Sequence, residues 1–290
     1  MRAGIVALAL AAAPAIAEPK LEHVSTYVWE RPESYFGGWS AIEVHDGGSA
    51  FIAIGDNAQI FQGKFKRTGE AIAAIPKRPI GALKDTDGVA FFQKDGEKLG
   101  DSEGIALLSD GRMAISFERD HRILIYRGDE APVRAPVFPQ ADTLALNRGV
   151  EALAVDAAGR LVAIPEAIPP GATGFPVWRL EGDEWSTVFY LKHTLGFRPV
   201  GADIDARGRL FLLERAFRLF GFQSRIRLFD LDAPNPEGEV IWQPAMGAFD
   251  NLEGLSIWTD NSGELRITLI SDDNHQRFQE TQIVEFRLTE

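Results

Sequence analysis

The chain has 290 residues, 45% hydrophobic and 25% charged, ordinary values for a globular protein and enough length for one all-β core of propeller or barrel size. A formal net charge of −12 repels phosphate backbones and argues against nucleic-acid binding, while the absence of cysteine excludes disulfide staples. Beyond the N-terminus no run reaches 18 uninterrupted apolar residues, so no membrane-spanning helix is expected.

The first residues read as a leader. Arg2 supplies a positive start, Gly4 to Ala13 an apolar run too short to span a bilayer, and Ala15-Ile16-Ala17 a small-x-small cleavage site. A signal peptide over 1–17 is expected, with the mature protein, residues 18–290, in a periplasm or outside the cell.

One unit then recurs along the chain: a short apolar strand, a Gly-containing turn, a second apolar strand and a closing acidic residue. It begins at Ser40, Glu103, Glu151, Val200 and Glu253. In the first four copies the turn glycine follows eight positions later, at Gly48, Gly111, Gly159 and Gly208; in the fifth two extra residues precede Gly263. The starts lie 63, 48, 49 and 53 residues apart, with further β-like runs between them. Branched and aromatic residues bounded by Gly, Pro and Asp mark strands, and no sustained helical period appears after the leader. A unit of about 50 residues holding four short strands is a propeller blade. The expectation is an all-β propeller with five clear repeats and five or six blades of four antiparallel strands. A degenerate sixth blade would use part of 64–100, and the strand around Leu21 to Trp29 would complete the last blade. A β-sandwich is the rival architecture.

Equivalent positions of a propeller point into one channel. Glu103, Glu151 and Glu253 share a slot at the start of the first strand; Asp56, Glu118, Glu166, Glu214 and Asp272 share one at the end of the second. Hairpin geometry puts both slots at the same mouth. Carboxylates crowded together repel and resist desolvation, so they need arginines or a metal. An oxygen-only set with five histidines, none paired at ligand spacing, suits calcium and not zinc. Asn147, Asn251 and Asn274 could add neutral oxygens. Arg119, His121, Arg122, Arg148, Arg215, Arg218, His275 and Arg277 are interleaved. Either each pairs with a neighbouring acid, or calcium and arginine together form a pocket for an anionic, oxygen-rich small molecule. The cluster Phe211, Phe217, Phe220 and Phe222 reads as core or as part of a loop. No G-x-S-x-G elbow, P-loop or dinucleotide fingerprint is present.

In order along the chain stand Phe36-Gly37-Gly38-Trp39-Ser40, Asp101-Ser102-Glu103-Gly104, Phe117-Glu118, Asn147-Arg148-Gly149-Val150-Glu151-Ala152-Leu153, Leu213-Glu214-Arg215, Asp250-Asn251-Leu252-Glu253-Gly254-Leu255 and Ser271-Asp272-Asp273-Asn274. This order resembles the phytase-like family, also labelled esterase-like activity of phytase, from about Phe36 to the C-terminus. The resemblance implies a secreted propeller and calcium-dependent hydrolysis of phosphoesters. It implies metal ligands at Asp56, Glu103, Glu118, Glu151, Glu166, Glu214, Glu253, Asp272 and Asp273, with Asn274 beside them. It implies anion contacts at Arg119, Arg148 and Arg215. Beside them, His121 and His275 are candidate substrate contacts, and Glu151 and Glu253 the candidate acid–base carboxylates of the ring. Val200 and Ser40 depart from the glutamate slot, which would make the metal site lopsided. Three readings stay open: a calcium-dependent hydrolase of phosphate or other esters, a non-catalytic propeller with structural calcium, and a calcium-dependent lactonase. A monomer is expected, with no nucleic-acid or membrane partner.

Overall fold

The computed structural model describes residues 19–94, 99–218, 221–234 and 236–290; the leader expected over 1–17 lies outside them. Five four-stranded antiparallel sheets form a propeller. Blade 1 runs from its inner strand Trp39–His45 through Ala50–Gly55 and Gln59–Lys64 to Gly81–Ala82. Blade 2 consists of Ser102–Leu107, Met113–Phe117, Arg122–Tyr126 and Val133–Arg134. Blade 3 consists of Val150–Val155, Leu161–Pro165, Phe175–Glu181 and Glu184–Leu191. Blade 4 consists of Arg198–Ile204, Arg209–Arg218, Gly221–Asp230 and Glu239–Trp242. Blade 5 consists of Asn251–Thr259, Leu265–Asp272 and Gln282–Thr289, and takes its outer strand, Lys20–Val28, from the N-terminus. The ring is thus fastened by antiparallel pairing of Lys20–Val28 with Gln282–Thr289.

The count is five blades among the described residues. In the stretch 64–100, expected to hold a degenerate sixth blade, the described residues form the hairpin Lys66–Thr68/Ala71–Ala74, the outer strand of blade 1 and a short 3-10 turn at Phe91–Gln93. Each inner strand touches the inner strands of both neighbouring blades, which closes the ring.

Period-two alternation explains why the strands read as continuous apolar runs. Leu210 and Leu212 pack toward blade 3, whereas Phe211 and Leu213 pack toward blade 5. Ile52 and Ile54 face blade 2, and Phe51 and Ala53 face blade 5. A strand buried on both faces has no polar side to display. Five apolar clusters result, one at each blade interface. The fifth, which joins the ends of the chain, stacks Trp29 on Trp39 with ring centroids 5.0 Å apart.

The recurrent glycine is set by turn geometry. Gly111, Gly159, Gly208 and Gly263 adopt φ of 82°, 78°, 79° and 87°, a region open to glycine at little cost. Aspartates at the start of these turns accept backbone N–H groups further along, as Asp156 does from Ala158 and Arg160.

Candidate functional site

All five inner strands break register at the repeat's first slot. The shifts fall between Trp39 and Ala41, Ser102 and Ile105, Val150 and Ala152, Pro199 and Gly201, and Leu252 and Gly254. A bulge leaves one residue out of the ladder and re-aims its side chain. The residues so released include Glu103, Glu151 and Glu253. The following residue must be small because adjoining inner strands approach closely: a Cβ on Gly104 would lie 2.6 Å from the Glu151 carbonyl oxygen, and one on Gly254 2.8 Å from the Ala41 Cα. Packing thereby accounts for the recurring Glu-Gly and Glu-Ala pairs.

The tightest group of acids is Asp101, Glu103 and Glu118, which offer one carboxylate oxygen each within 4.8 Å of one another. Around it the charges of Asp56, Glu151, Glu166, Glu253, Asp272 and Asp273 act on one another across the mouth. Burial, then Glu118, Glu253, Asp101 and Asp56, hold the Glu103 carboxyl well above its ordinary range. Burial, then Glu166 and Glu103, do the same to Glu151, against the pull of Arg215. Glu118 is pushed up to about 7, by burial first and then by Asp101 and Glu166, although the Gly149 N–H donates to its Oε1 at 2.7 Å. Burial raises Asp56 to about 6 with His275 opposing, and burial with Glu253 raises Asp272 to about 8. A cavity of about 260 Å³ lined by Asp56, Asp101, Phe91 and Lys94 adjoins these acids.

The loops that frame the mouth are tied to it. Gly38, at φ 64°, donates its N–H to Asp273 Oδ1 at 3.0 Å and packs against the Asp56 carboxylate and the His275 ring. Asp273 Oδ1 also accepts the His275 N–H at 3.0 Å. Asn274 is exposed, and it gives its backbone N–H to Asp272 Oδ1 at 2.7 Å. Asn251 is buried, its amide donating to Glu253 Oε1 at 2.8 Å and its carbonyl oxygen accepting from Arg215 at 2.6 Å.

The basic residues divide by partner. Arg119 pairs with Asp101 at 3.0 Å. Arg215 pairs with Glu253, and although burial works against its charge, Glu253, Glu151 and Glu166 hold its pKa above the ordinary value. Arg198 approaches Glu166 at 3.5 Å. Arg148 is half-buried, and no side-chain hydrogen bond or ion pair joins its guanidinium to another described residue.

Two expected site residues serve other ends. Glu214 does not join the acids at the mouth. In the other blades the second strand ends at or just before the acidic slot, but in blade 4 it continues to Arg218, and strand alternation turns Glu214 against its neighbour strand. There Oε2 accepts from Arg225 Nε and Arg227 Nε, and Oε1 from Arg227 Nη2, each at 2.7 Å. His121 is buried beneath Gly149, bonded through Nε2 to the Ala145 carbonyl at 3.0 Å, with its pKa lowered by burial. It supports the 145–149 loop in place of meeting a ligand. Conversely, Asp101 belongs to the tightest group and was absent from the expected ligands, although it opens the Asp101-Ser102-Glu103-Gly104 motif.

Five or more carboxylates with raised pKa in one hollow, and few cations to match them, form a site that gains from a hard divalent cation. Asp101, Glu103 and Glu118 supply an oxygen-only donor set of suitable spread.

A model of the phytase-like family, described as esterase-like activity of phytase, matches residues 34–275. No curated protein matches the chain. An endo-arabinase from Bacteroides thetaiotaomicron is similar in structure with a TM-score of 0.53 at 14% identity, over 87% of this chain and 94% of that one. A PQQ-bound aldose sugar dehydrogenase from Streptomyces coelicolor gives a TM-score of 0.47 at 16% identity, over 94% and 100%. A gluconolactonase from Xanthomonas campestris gives 0.48 at 11%, over 86% and 72%. At 14% identity the likeness to the arabinase is one of fold.

Proposed function

We propose, from the premise that this chain belongs to the phytase-like family, that it is an exported, calcium-dependent hydrolase of phosphate or other esters. The observation that carries this reading is the convergence of Asp101, Glu103 and Glu118 within 4.8 Å at the mouth of the channel. These three would hold the ion, with Asp56 and Asp272 beside them. A calcium ion bound there supplies positive charge that polarises a phosphoryl or carbonyl oxygen.

The chain's own residues divide the remaining work. Arg148, whose guanidinium has no hydrogen-bond or ion-pair partner among the described residues, receives the anionic oxygen of the substrate. Glu151, whose carboxyl is held well above its ordinary range by burial and then by Glu166, accepts the proton of an attacking water and returns it to the leaving group. Glu253 is held in place by Arg215 and Asn251, and orients that pair in turn. The leader expected over 1–17 would export the protein to where calcium is plentiful.

A calorimetric calcium titration of residues 18–290, joined to assays on phosphomonoesters and carboxylic esters with and without chelator, tests the reading. Calcium binding with chelator-sensitive turnover is expected. Calcium binding without turnover on any ester would leave a non-catalytic propeller, which the Arg215–Glu253 pair favours because it occupies one expected catalytic carboxylate.

A further inference from the structure

The second and third strands of blade 4 extend beyond the inner strand. Arg198 of the inner strand pairs with Arg215, while the hairpin goes on through Phe217 opposite Phe222 to Arg218 opposite Gly221. Alternation sets Arg215, Phe217 and Phe222 on one face of this projection, the face on which Phe211 and Leu213 pack toward blade 5. Across from it stand Phe249 and Phe278, and the Gly247 N–H donates to the Phe222 carbonyl at 3.1 Å. Between the two walls runs a groove of about 670 Å³ that includes Phe217, Phe222, Phe249, Asp250, Phe278 and Gln282.

Two features set this groove apart. Phe217 is 74% exposed and Phe278 82% exposed, and both of these rings line the one groove. Leaving such rings in water forgoes the gain of burying them, and exposed apolar concavities mark sites of binding. One side chain also joins a residue of the groove to a carboxylate of the channel mouth. The Arg215 guanidinium lies 5.5 Å from the Phe222 ring centroid and bonds Glu253 at the same time.

Resting on the hydrolase reading above, we propose that this groove is the leaving-group subsite, and that it takes the aromatic or bulky apolar alcohol portion of an ester whose anionic end lies at the channel mouth. The groove's volume suits a one- or two-ring group, within the roughly 300–1,000 Å³ of small-molecule pockets. Offset or edge-on contact with Phe217 and Phe222, themselves 5.5 Å apart at 64°, adds to burial of the ring. Asp250 and Glu280 on the groove's border disfavour an anionic lipid surface. Two exposed rings fall well short of the roughly 1,200 Å² that a stable protein interface buries.

The test uses residues 18–290 and the double variant Phe217→Ala/Phe278→Ala, with 1-naphthol and 1-naphthyl phosphate as probes, followed by calorimetry. Both side chains are exposed, so an unchanged melting temperature and an unchanged calcium affinity are expected of the variant. The wild type should bind both probes, and the variant should bind each at least tenfold more weakly. Equal binding by the two proteins, or no binding of 1-naphthol to the wild type, overturns the proposal. So does a concentration-dependent dimer that the variant dissociates, because it assigns the groove to a second copy of this chain. Because 1-naphthol carries no anion, its binding is read independently of the metal: a chain that binds 1-naphthol in the groove but no calcium rejects the reading of the mouth and leaves the aromatic site standing.

Discussion

Arg227 grips Glu214 across adjacent strands of blade 4, its Nε and Nη2 each 2.7 Å from a different carboxylate oxygen. Arg225 adds a third bond at 2.7 Å, and its own guanidinium stacks 4.1 Å from the Phe197 ring. With all three partners buried, removing the acid strands two guanidinium charges. Glu214→Ala should therefore cost about 3–5 kcal/mol of folding stability and leave calcium affinity unchanged. Urea unfolding and calcium calorimetry on the same preparation check both halves; a variant that keeps its stability but loses calcium would return Glu214 to the metal site.

That pairing also shows where the sequence stops being legible. The blades were readable because each repeats a turn glycine at a fixed distance from its first residue, and a φ near 80° is a demand that sequence displays directly. The acidic slots were readable for the same reason. Whether an acid in the slot faces the channel is decided by strand register. Glu118 and Glu214 look equivalent in sequence, yet one accepts the Gly149 N–H and the other two arginines from the next strand. The alternation Arg225-Ile226-Arg227 was visible, but nothing in the sequence said which residue it would oppose. Asp101 was missed because it precedes the inner strand and so lies outside the repeat frame, and the exposure of Phe217 depends on how far the hairpin outruns its sheet.

Close approach of the inner strands makes a second expectation. Gly104 adopts an ordinary backbone conformation, so strain is not at issue; space is. A methyl group there would meet the Glu151 carbonyl oxygen at 2.6 Å, the Leu153 Cβ at 2.9 Å and the Ser116 Oγ at 2.9 Å. Backbone on one side and a packed core on the other leave little room to yield, so Gly104→Ala should destabilise by about 1–3 kcal/mol. It should also weaken calcium binding, since the shift displaces the neighbouring Glu103. A Gly104→Ala protein with wild-type urea midpoint would show that blades 2 and 3 can part at this point.

Metal removal and charge removal act in opposite directions on the mouth. Without an ion, Glu103 faces Glu118, Glu253, Asp101 and Asp56, and its ionised form is disfavoured. Glu103→Gln keeps the shape and deletes one charge. Calcium affinity should fall at least tenfold, about 1.4 kcal/mol, while the chelated variant is at least as stable as the chelated wild type. Thermal melts in chelator and in excess calcium separate the two effects, and a chelated variant that melts well below the wild type would mean that Glu103 is a structural residue.

A second pair of carboxyls sits apart from the mouth, on the inner strands of blades 1 and 4. Glu43 accepts the Leu107 N–H at 3.1 Å and the Ser256 hydroxyl at 3.2 Å; Asp203 accepts the Ile257 and Ile204 N–H groups, each at 2.7 Å. Burial, followed by Asp203, holds Glu43 well above its ordinary range, and burial raises Asp203 to about 7, with Asp205 adding to the effect. Unfolded carboxyls release their protons near pH 4. Between about pH 4 and 7 the folded chain therefore keeps a proton that the unfolded chain has lost, and its stability falls as pH rises through that window, by about 1.4 kcal/mol per unit for one proton. Asp203→Asn retains the shape and cannot titrate. Its stability, compared with the wild type by urea unfolding at about pH 5 and about pH 7, should lose less on the way up, by close to one proton's worth of slope. Parallel profiles for the two proteins would show that Asp203 is already ionised in the fold at the lower pH.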